Sequence, residues 1–234
     1  MISFATAARS ALLPLPEVGR LGALRRSTSL FSQGQVADSL YLIDDGLIKL
    51  IRTNGDGKRI IICICGPGHV VGEEVLSTET PSYYAEADVL TTATVFRIPR
   101  DTIVRAMTDN PEIASYLMDA IIQQKHKLAE KVEYLCLYDV EYRILHYLAE
   151  LSLLVRRPSD NDGYQLPITQ LELADLVGAT RETTSTTLNQ LERRGLVKLS
   201  RRLLTVPSPE VLRSVANSRA EVAESGAAAT VGVL

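Results

Sequence analysis

At 234 residues, 46% hydrophobic and 23% charged, the chain holds enough apolar material for one large or two ordinary packed domains. Its net charge of −3 excludes a protein that grips polyanions over its whole surface, so any nucleic-acid contact must come from a local basic patch. Three cysteines make no disulfide framework, and no segment reaches the roughly 18 apolar residues of a membrane span, which reads as a soluble, cytoplasmic chain with no membrane partner.

The N-terminal MISFATAARSALLPLPEVGR lacks the basic start and unbroken apolar stretch of a secretory leader. Between Leu30 and Val95, short β-rich runs (LYLID, LIKLIR, IIICIC, ATVFRI) alternate with glycine turns at Gly34, Gly46, Gly55, Gly57, Gly66, Gly68 and Gly72. Many short strands at near-even spacing predict a jelly roll or barrel. Cys63 and Cys65 in an apolar run, and Cys136 far from them, read as small core hydrophobes.

Asn110-Pro111-Glu112 starts a helix: Asn caps, Pro takes the first helical position and Glu complements the dipole. The pattern runs to about Leu137, roughly 40 Å at 1.5 Å per residue. Leu117, Ile121, Gln124, Leu128, Val132 and Leu135 recur along one narrow stripe. The alternative is a helix packed only on its own domain; the polar flanks Gln123, Lys125, Lys127, Glu130 and Lys131 favour a seam against a second helix. Asp139 opens the next helix, with Ile144, Leu148 and Leu151 at helical spacing, and residues 156–167 form a polar loop.

Residues 169–206 are the most informative. Thr169 and Glu172 form a capping box, and that helix ends at Gly178. A second helix begins after Thr180, with Glu182 in its first turn and Arg193 and Arg194 in its last, before Gly195. One side would carry Arg181, Glu182, Ser185, Thr186 and Asn189, the other Thr184, Leu188 and Leu191. Arg and Asn can make paired hydrogen bonds to guanine and adenine edges, Glu can accept from cytosine, and a Thr methyl can touch thymine. The plain alternative is a helical hairpin with a solvated polar face. Against it stands the local charge: from Arg181 to Arg213 there are seven basic and three acidic residues. Lys198 to Val206 reads as two strands turning at Ser200, Arg201 and Arg202, a wing whose arginines would meet phosphate or simply serve solubility. From Ser214 to Leu234 the chain is a patternless tail, expected to be disordered or loosely packed.

LFSQGQVADSLYLIDDGLIKLIRTNGDGKRIIICICGPGHVVGEE resembles a cyclic-nucleotide-binding domain, matching Gly34, Ala37, the run Leu40 to Ile43, Gly46, the GPG turn and Gly72-Glu73. With the winged helix behind it, the chain from about Leu21 to Arg213 resembles the Crp/Fnr family of bacterial transcription regulators. The resemblance implies an α+β protein: an N-terminal double-stranded β-roll, jelly-roll-like (residues 1–108), a long dimerisation helix (109–138), a C-terminal winged helix-turn-helix (139–213) and a tail (214–234). It also implies a homodimer, and dimers place two recognition helices about 34 Å apart on a palindromic DNA site. RNA polymerase is the further partner implied. Thr180, Arg181, Glu182, Ser185, Thr186, Asn189, Arg201 and Arg202 take the DNA-binding positions, although Thr186 stands where the family has an arginine.

The sensor departs from the cyclic-AMP pattern. Gly72, Glu73 and Ser82 stand, but Pro81 occupies the arginine position, and Leu128 and Ala129 the adenine-contacting pair. From Gly72 to Val95 there is no Lys or Arg against five carboxylates. A lost charge-assisted hydrogen bond costs about 1.5–3 kcal/mol, so ordinary cyclic-AMP binding is not expected. The first cysteine is Cys63, which leaves no N-terminal iron-sulfur cluster, and Gly72 and Glu74 stand where haem-binding members carry ligands. His69 lies close by without a second ligand. No iron-sulfur, haem or metal cofactor is therefore expected, and a small-molecule effector would meet a pocket of Gly72, Glu73, Ser82, Tyr83, Tyr84 and Leu128. No GxxxxGK[ST], HExxH or GxSxG occurs, so no catalytic residues and no enzyme are expected.

Overall fold

The computed structural model describes residues 4–79, 81–155, 163–200 and 203–218. The chain forms two compact units that divide at Ala129/Glu130, inside the long helix rather than at either of its ends.

In the first unit, α1 (Phe4–Leu12) precedes β1 (Gly19–Leu24), β2 (Ser29–Phe31), β3 (Ser39–Asp45), β4 (Ile48–Thr53), β5 (Arg59–Cys65) and β6 (Val70–Val71). A 3-10 turn (Glu73–Leu76), β7 (Glu86–Val89), β8 (Ala93–Pro99), α2 (Arg100–Asp109) and α3 (Pro111–Leu137) follow. The strands make two antiparallel four-stranded sheets, ordered β1-β8-β3-β6 and β2-β7-β4-β5. This is the double-sheet roll that the family resemblance implies; the strand spacing alone left jelly roll and barrel open. β3 runs centrally with Leu40, Tyr41, Leu42 and Ile43 all buried, because one face meets the roll interior and the other is covered. Phe31 stacks on Tyr83 at 3.9 Å between ring centroids and tilts against Tyr41, which seals one part of the core.

Neither α1 nor α2 is signalled by composition or strand spacing. Ala8 and Leu12, four residues apart on α1, are fully buried in the roll core. Burying a leucine contributes about 1.5–3 kcal/mol, enough to dock a helix of this length on a sheet. α2 similarly buries Thr102, Ile103 and Ala106.

In the second unit, α4 (Val140–Leu154), β9 (Tyr164–Leu166), α5 (Gln170–Val177), α6 (Arg181–Arg193), β10 (Lys198–Ser200) and β11 (Leu203–Val206) follow the end of α3. Asp139 caps α4 by accepting from the Tyr142 amide at 2.9 Å. β10 pairs with β11 in the register Lys198↔Thr205, Leu199↔Leu204, Ser200↔Leu203, the predicted hairpin. Its turn residues Arg201 and Arg202 lie outside the described residues, as do residues 156–162 of the polar loop. β9 adds a third strand through Leu204↔Leu166 and Val206↔Tyr164, inside the stretch read from sequence as loop. Residues 209–218 are helical with Leu212 and Ala216 buried, so this helix passes through the 213/214 boundary from which the patternless tail was expected. The remainder of that tail, 219–234, lies outside the described residues. Ile144, Leu145 and Leu148 of α4, Leu173 and Val177 of α5 and Leu188 and Leu191 of α6 are all buried in the second unit.

Candidate functional site

α6 is positioned by caps and by charge. The Thr169 hydroxyl accepts from the Glu172 amide while the Glu172 carboxylate accepts from the Thr169 amide at 2.9 Å, closing the capping box of α5. Gly178 then takes φ 66°, turning the chain into the Thr180 cap of α6, whose hydroxyl accepts from the Thr183 amide. α6 buries Thr184, Thr187, Leu188 and Leu191. Thr180, Arg181, Glu182, Thr186 and Asn189 are exposed and Ser185 half-exposed, so the predicted polar face points to solvent. Of these, only Thr180 is engaged by another side chain among the described residues, its hydroxyl lying 3.0 Å from that of Thr183 within the cap.

Two of the basic residues counted as local charge are otherwise engaged. Arg194 donates to Glu141 on α4 at 2.6 Å, and Arg213 to Glu150 at 2.7 Å. They brace α6 and the last helix on α4 and leave less unpaired positive charge than the sequence count implies. Glu192 accepts from the Leu199 amide at 2.8 Å, fixing the hairpin to α6. Sequence reasoning missed these pairs, whose partners carry no short-range signal of one another.

In the first unit the residues proposed for an effector pocket divide. Gly72 has φ 84°, and a Cβ there would lie 3.0 Å from the Ser39 carbonyl oxygen and 3.1 Å from the Tyr83 ring, so glycine is required. Tyr83 fills the roll rather than lining open space: its hydroxyl donates to the Ser39 carbonyl at 2.8 Å and accepts from the Ser39 amide. Its neighbour Tyr84 faces solvent, because successive strand-like residues alternate. Ser82 is exposed and bridges to Val36, and Leu128 is exposed on α3. The Tyr83 phenol is raised above its ordinary value by burial.

Glu73 is half-buried at the start of the 3-10 turn, and desolvation pushes its carboxyl up to about 7, against the lowering by hydrogen bonds from backbone amides. The chain segment from Gly72 to Val95 holds no cation, yet tertiary structure supplies some. Arg52 of β4 lies over the Tyr84 ring at 3.9 Å and donates to the Tyr84 carbonyl, and Arg100 donates to the Val75 carbonyl at 3.1 Å. Lys127 lies 3.5 Å from His69, and burial followed by that ammonium holds the imidazole below its ordinary value. Apart from these residues, a cavity of about 930 Å³ opens between the α1–β1 connection, α2 and the start of α3.

Along α3 the predicted stripe also divides. Leu117 is buried in the roll core and Gln124 donates to the Val70 carbonyl at 2.9 Å, so both serve their own unit. Ile121 is half-buried. Leu128, Val132 and Leu135 are exposed, joined by Met118 and Ile122, which moves the free apolar stripe toward that side of the helix.

A double-sheet β-roll in one unit and a three-stranded winged helix in the other make up the architecture of a DNA-binding regulator. The first unit matches the cyclic nucleotide-binding domain over residues 22–110, and the second the Crp-like helix-turn-helix domain over residues 142–215. The chain belongs to the Crp/Fnr family of transcription regulators. It is 28% identical over 191 residues to the CRP-like cAMP-activated global transcriptional regulator of Mycobacterium tuberculosis, covering 80% of this chain and 84% of that one. It is 29% identical over 178 residues to the Anaerobic regulatory protein of Bacillus subtilis, covering 75% and 74%. A transcriptional regulator of the CRP family from Thermus thermophilus has the same fold, with a TM-score of 0.73 and 25% identity over 85% of this chain and 96% of that one.

Proposed function

We propose that the protein acts as a homodimer that reads a palindromic DNA site, is not an enzyme and is not gated by ordinary cyclic AMP binding. The observation that carries this reading is the exposed polar face of α6, raised on capped ends and braced by Arg194 on Glu141. Arg181, Glu182, Ser185, Thr186 and Asn189 are the base-reading candidates, Thr180 is the cap nearest the phosphate chain, and Arg201 and Arg202 are backbone contacts. The free stripe through Met118, Ile122, Leu128 and Val132 supplies the seam for a second copy. RNA polymerase is the partner proposed in transcription, and the cytoplasm the compartment.

Against cyclic AMP stand Pro81 at the arginine position and Tyr83 filling the roll beside Gly72. A cyclic-nucleotide-gated reading is favoured by the names of relatives such as the Mycobacterium tuberculosis regulator. Selection of bound sequences from random DNA by the purified protein, with hydrodynamic sizing of the complex, tests the main reading. The expected outcome is an inverted repeat bound by two chains. Enrichment of no sequence would end it. Calorimetry against cyclic AMP, in which heat at micromolar ligand would favour the gated alternative, decides the second point.

A further inference from the structure

The cavity of about 930 Å³ lies within the first unit, walled by α1, the α1–β1 connection, α2 and the first turns of α3. None of Gly72, Glu73, Ser82, Tyr83, Tyr84 or Leu128 lines it. A volume of that order holds a small organic molecule. Its apolar lining comes from Ala11, Leu15, Ala106 and Ile113, of which the last two are buried, with the half-buried Tyr116 beside them.

The polar lining is acidic. Glu17, Asp109 and Glu112 stand against a single cation, Arg105, whose guanidinium is 4.0 Å from Glu17. Among the described residues neither Asp109 nor Glu112 meets a cationic side chain. Two features set these carboxylates apart from ordinary surface charge. Asp109 occupies the last turn of α2, which contains no basic residue, so it adds to the negative end of the helix dipole, where a cation is the favourable sign. Glu17 has φ 60°, a left-handed backbone that few side chains adopt, and its carboxylate accepts from the Thr102 hydroxyl at 3.0 Å, with Thr102 itself 2% exposed. A buried donor thus holds one carboxylate at the cavity, and a second is left with its charge unmatched. The start of α3, which would favour an anion, is already capped by Asn110, whose side chain accepts from the Glu112 amide at 3.0 Å.

We propose that this cavity binds a small organic cation, a protonated amine or amidinium carried on a compact apolar body. The charged head lies toward Glu17 and Asp109 and the body against Ala106 and Ile113. Binding makes hydrogen-bonded ion pairs and no covalent bond, and it ties the α1–β1 connection to the foot of α3. The inference deepens the proposed regulator by naming the class of small molecule its first unit takes. It rests on that reading only for an effect on DNA, because binding itself is measured without DNA.

Calorimetric titration of the full-length protein with benzamidine and with tryptamine tests the site. Both should bind saturably, one per chain, and the methyl resonances of Ala106 and Ile113 should shift while that of Ile60, exposed on β5, does not. The neutral isosteres benzamide and N-acetyltryptamine should bind at least roughly tenfold more weakly, because hydrogen bonds to a charged group exceed neutral ones. Spermidine, which has charge without a compact apolar body, should also bind more weakly than tryptamine. Glu17→Gln combined with Asp109→Asn keeps the side-chain shapes and the acceptor for Thr102, and should weaken benzamidine binding roughly tenfold or more. Ser10→Trp, at an exposed position of α1 on the cavity, should block both probes with unchanged thermal unfolding, which separates loss of the site from loss of the fold. Absence of saturable binding by both probes, equal affinity for benzamidine and benzamide, displacement by spermidine as effective as by tryptamine, or parent affinity in both variants would each overturn the site. A change in DNA affinity on loading is read separately, so failure of the regulator reading leaves this result standing.

Discussion

Arg181 and Arg201 are assigned different work, and substitution separates them. Arg181→Ala is expected to lower affinity for the selected site by about 1–3 kcal/mol and relax one base position, while affinity for random DNA stays the same. Arg201→Ala should weaken both alike and shallow the salt dependence. Fluorescence anisotropy on the two DNAs reads the difference, and equal losses for Arg181→Ala would remove it from base reading. Glu73 makes a second residue-scale prediction. Burial holds its carboxyl protonated up to about pH 7 in the folded chain, whereas the unfolded group ionises near 4.5. Between those values the folded state binds the extra proton, so this contribution to stability is full below about pH 4.5 and is lost as pH rises through about 7. His69 and His146, lowered by burial, act oppositely: the unfolded chain protonates first below 6.5, and stability falls on acidification. Glu73→Gln removes only the first slope. Urea unfolding should show the variant gaining on the parent between about pH 5 and about pH 7.5, and a difference constant with pH would contradict a desolvated carboxyl.

At the scale of the element, the corner between α5 and α6 depends on Gly178. An added Cβ would meet only the far end of the flexible Leu135 side chain, at 2.7 Å, which can move aside. The left-handed φ of 66° is the larger obstacle. Gly178→Ala should cost about 1–2 kcal/mol, and Gly178→Asn less, because asparagine tolerates that region better. Chemical denaturation followed by helical circular dichroism checks the order of the two. Lys131 reinforces the same corner from α3 by donating to the Leu176 carbonyl at 2.8 Å, supplying a hydrogen bond to one of the last carbonyls of α5. The junction of α3 and α4 holds a run of rings in which Tyr138 stacks on Tyr142 at 4.1 Å and Tyr134 meets His146 at 4.3 Å. This packing, with α4's capped start, leaves His146 half-buried as a structural residue.

At the scale of the whole molecule, the proposed dimer is what turns one reading helix into a specific binder. Val132 is 54% exposed on α3, so a charge there disturbs no core of its own chain. Val132→Glu is expected to yield monomers in sedimentation velocity with unchanged thermal unfolding of the roll. Affinity for a palindromic site should fall by roughly 10²-fold or more, because the second half-site no longer binds intramolecularly. Monomers that keep the parent affinity would place the dimer seam elsewhere or make it unnecessary.

The sequence by itself determined the local features: the capping box of Thr169 and Glu172, the Thr180 cap, the paired strands of the wing, the start of α3 at Pro111 and the strand-and-glycine rhythm of the roll. Each is a short-range preference in which neighbouring residues satisfy one another's backbone groups, so each is legible without a partner far along the chain. Only the tertiary structure decided which charges are spent and which faces remain free. It paired Arg194 with Glu141, brought Arg52 over Tyr84 in a segment that carries no cation of its own, folded Tyr83 into the core, and engaged Leu117 and Gln124 of α3 within their own unit. α1 and β9 stayed hidden for the same reason: a nine-residue helix and a three-residue strand gain their stability from the surface they dock on, which no window of sequence contains.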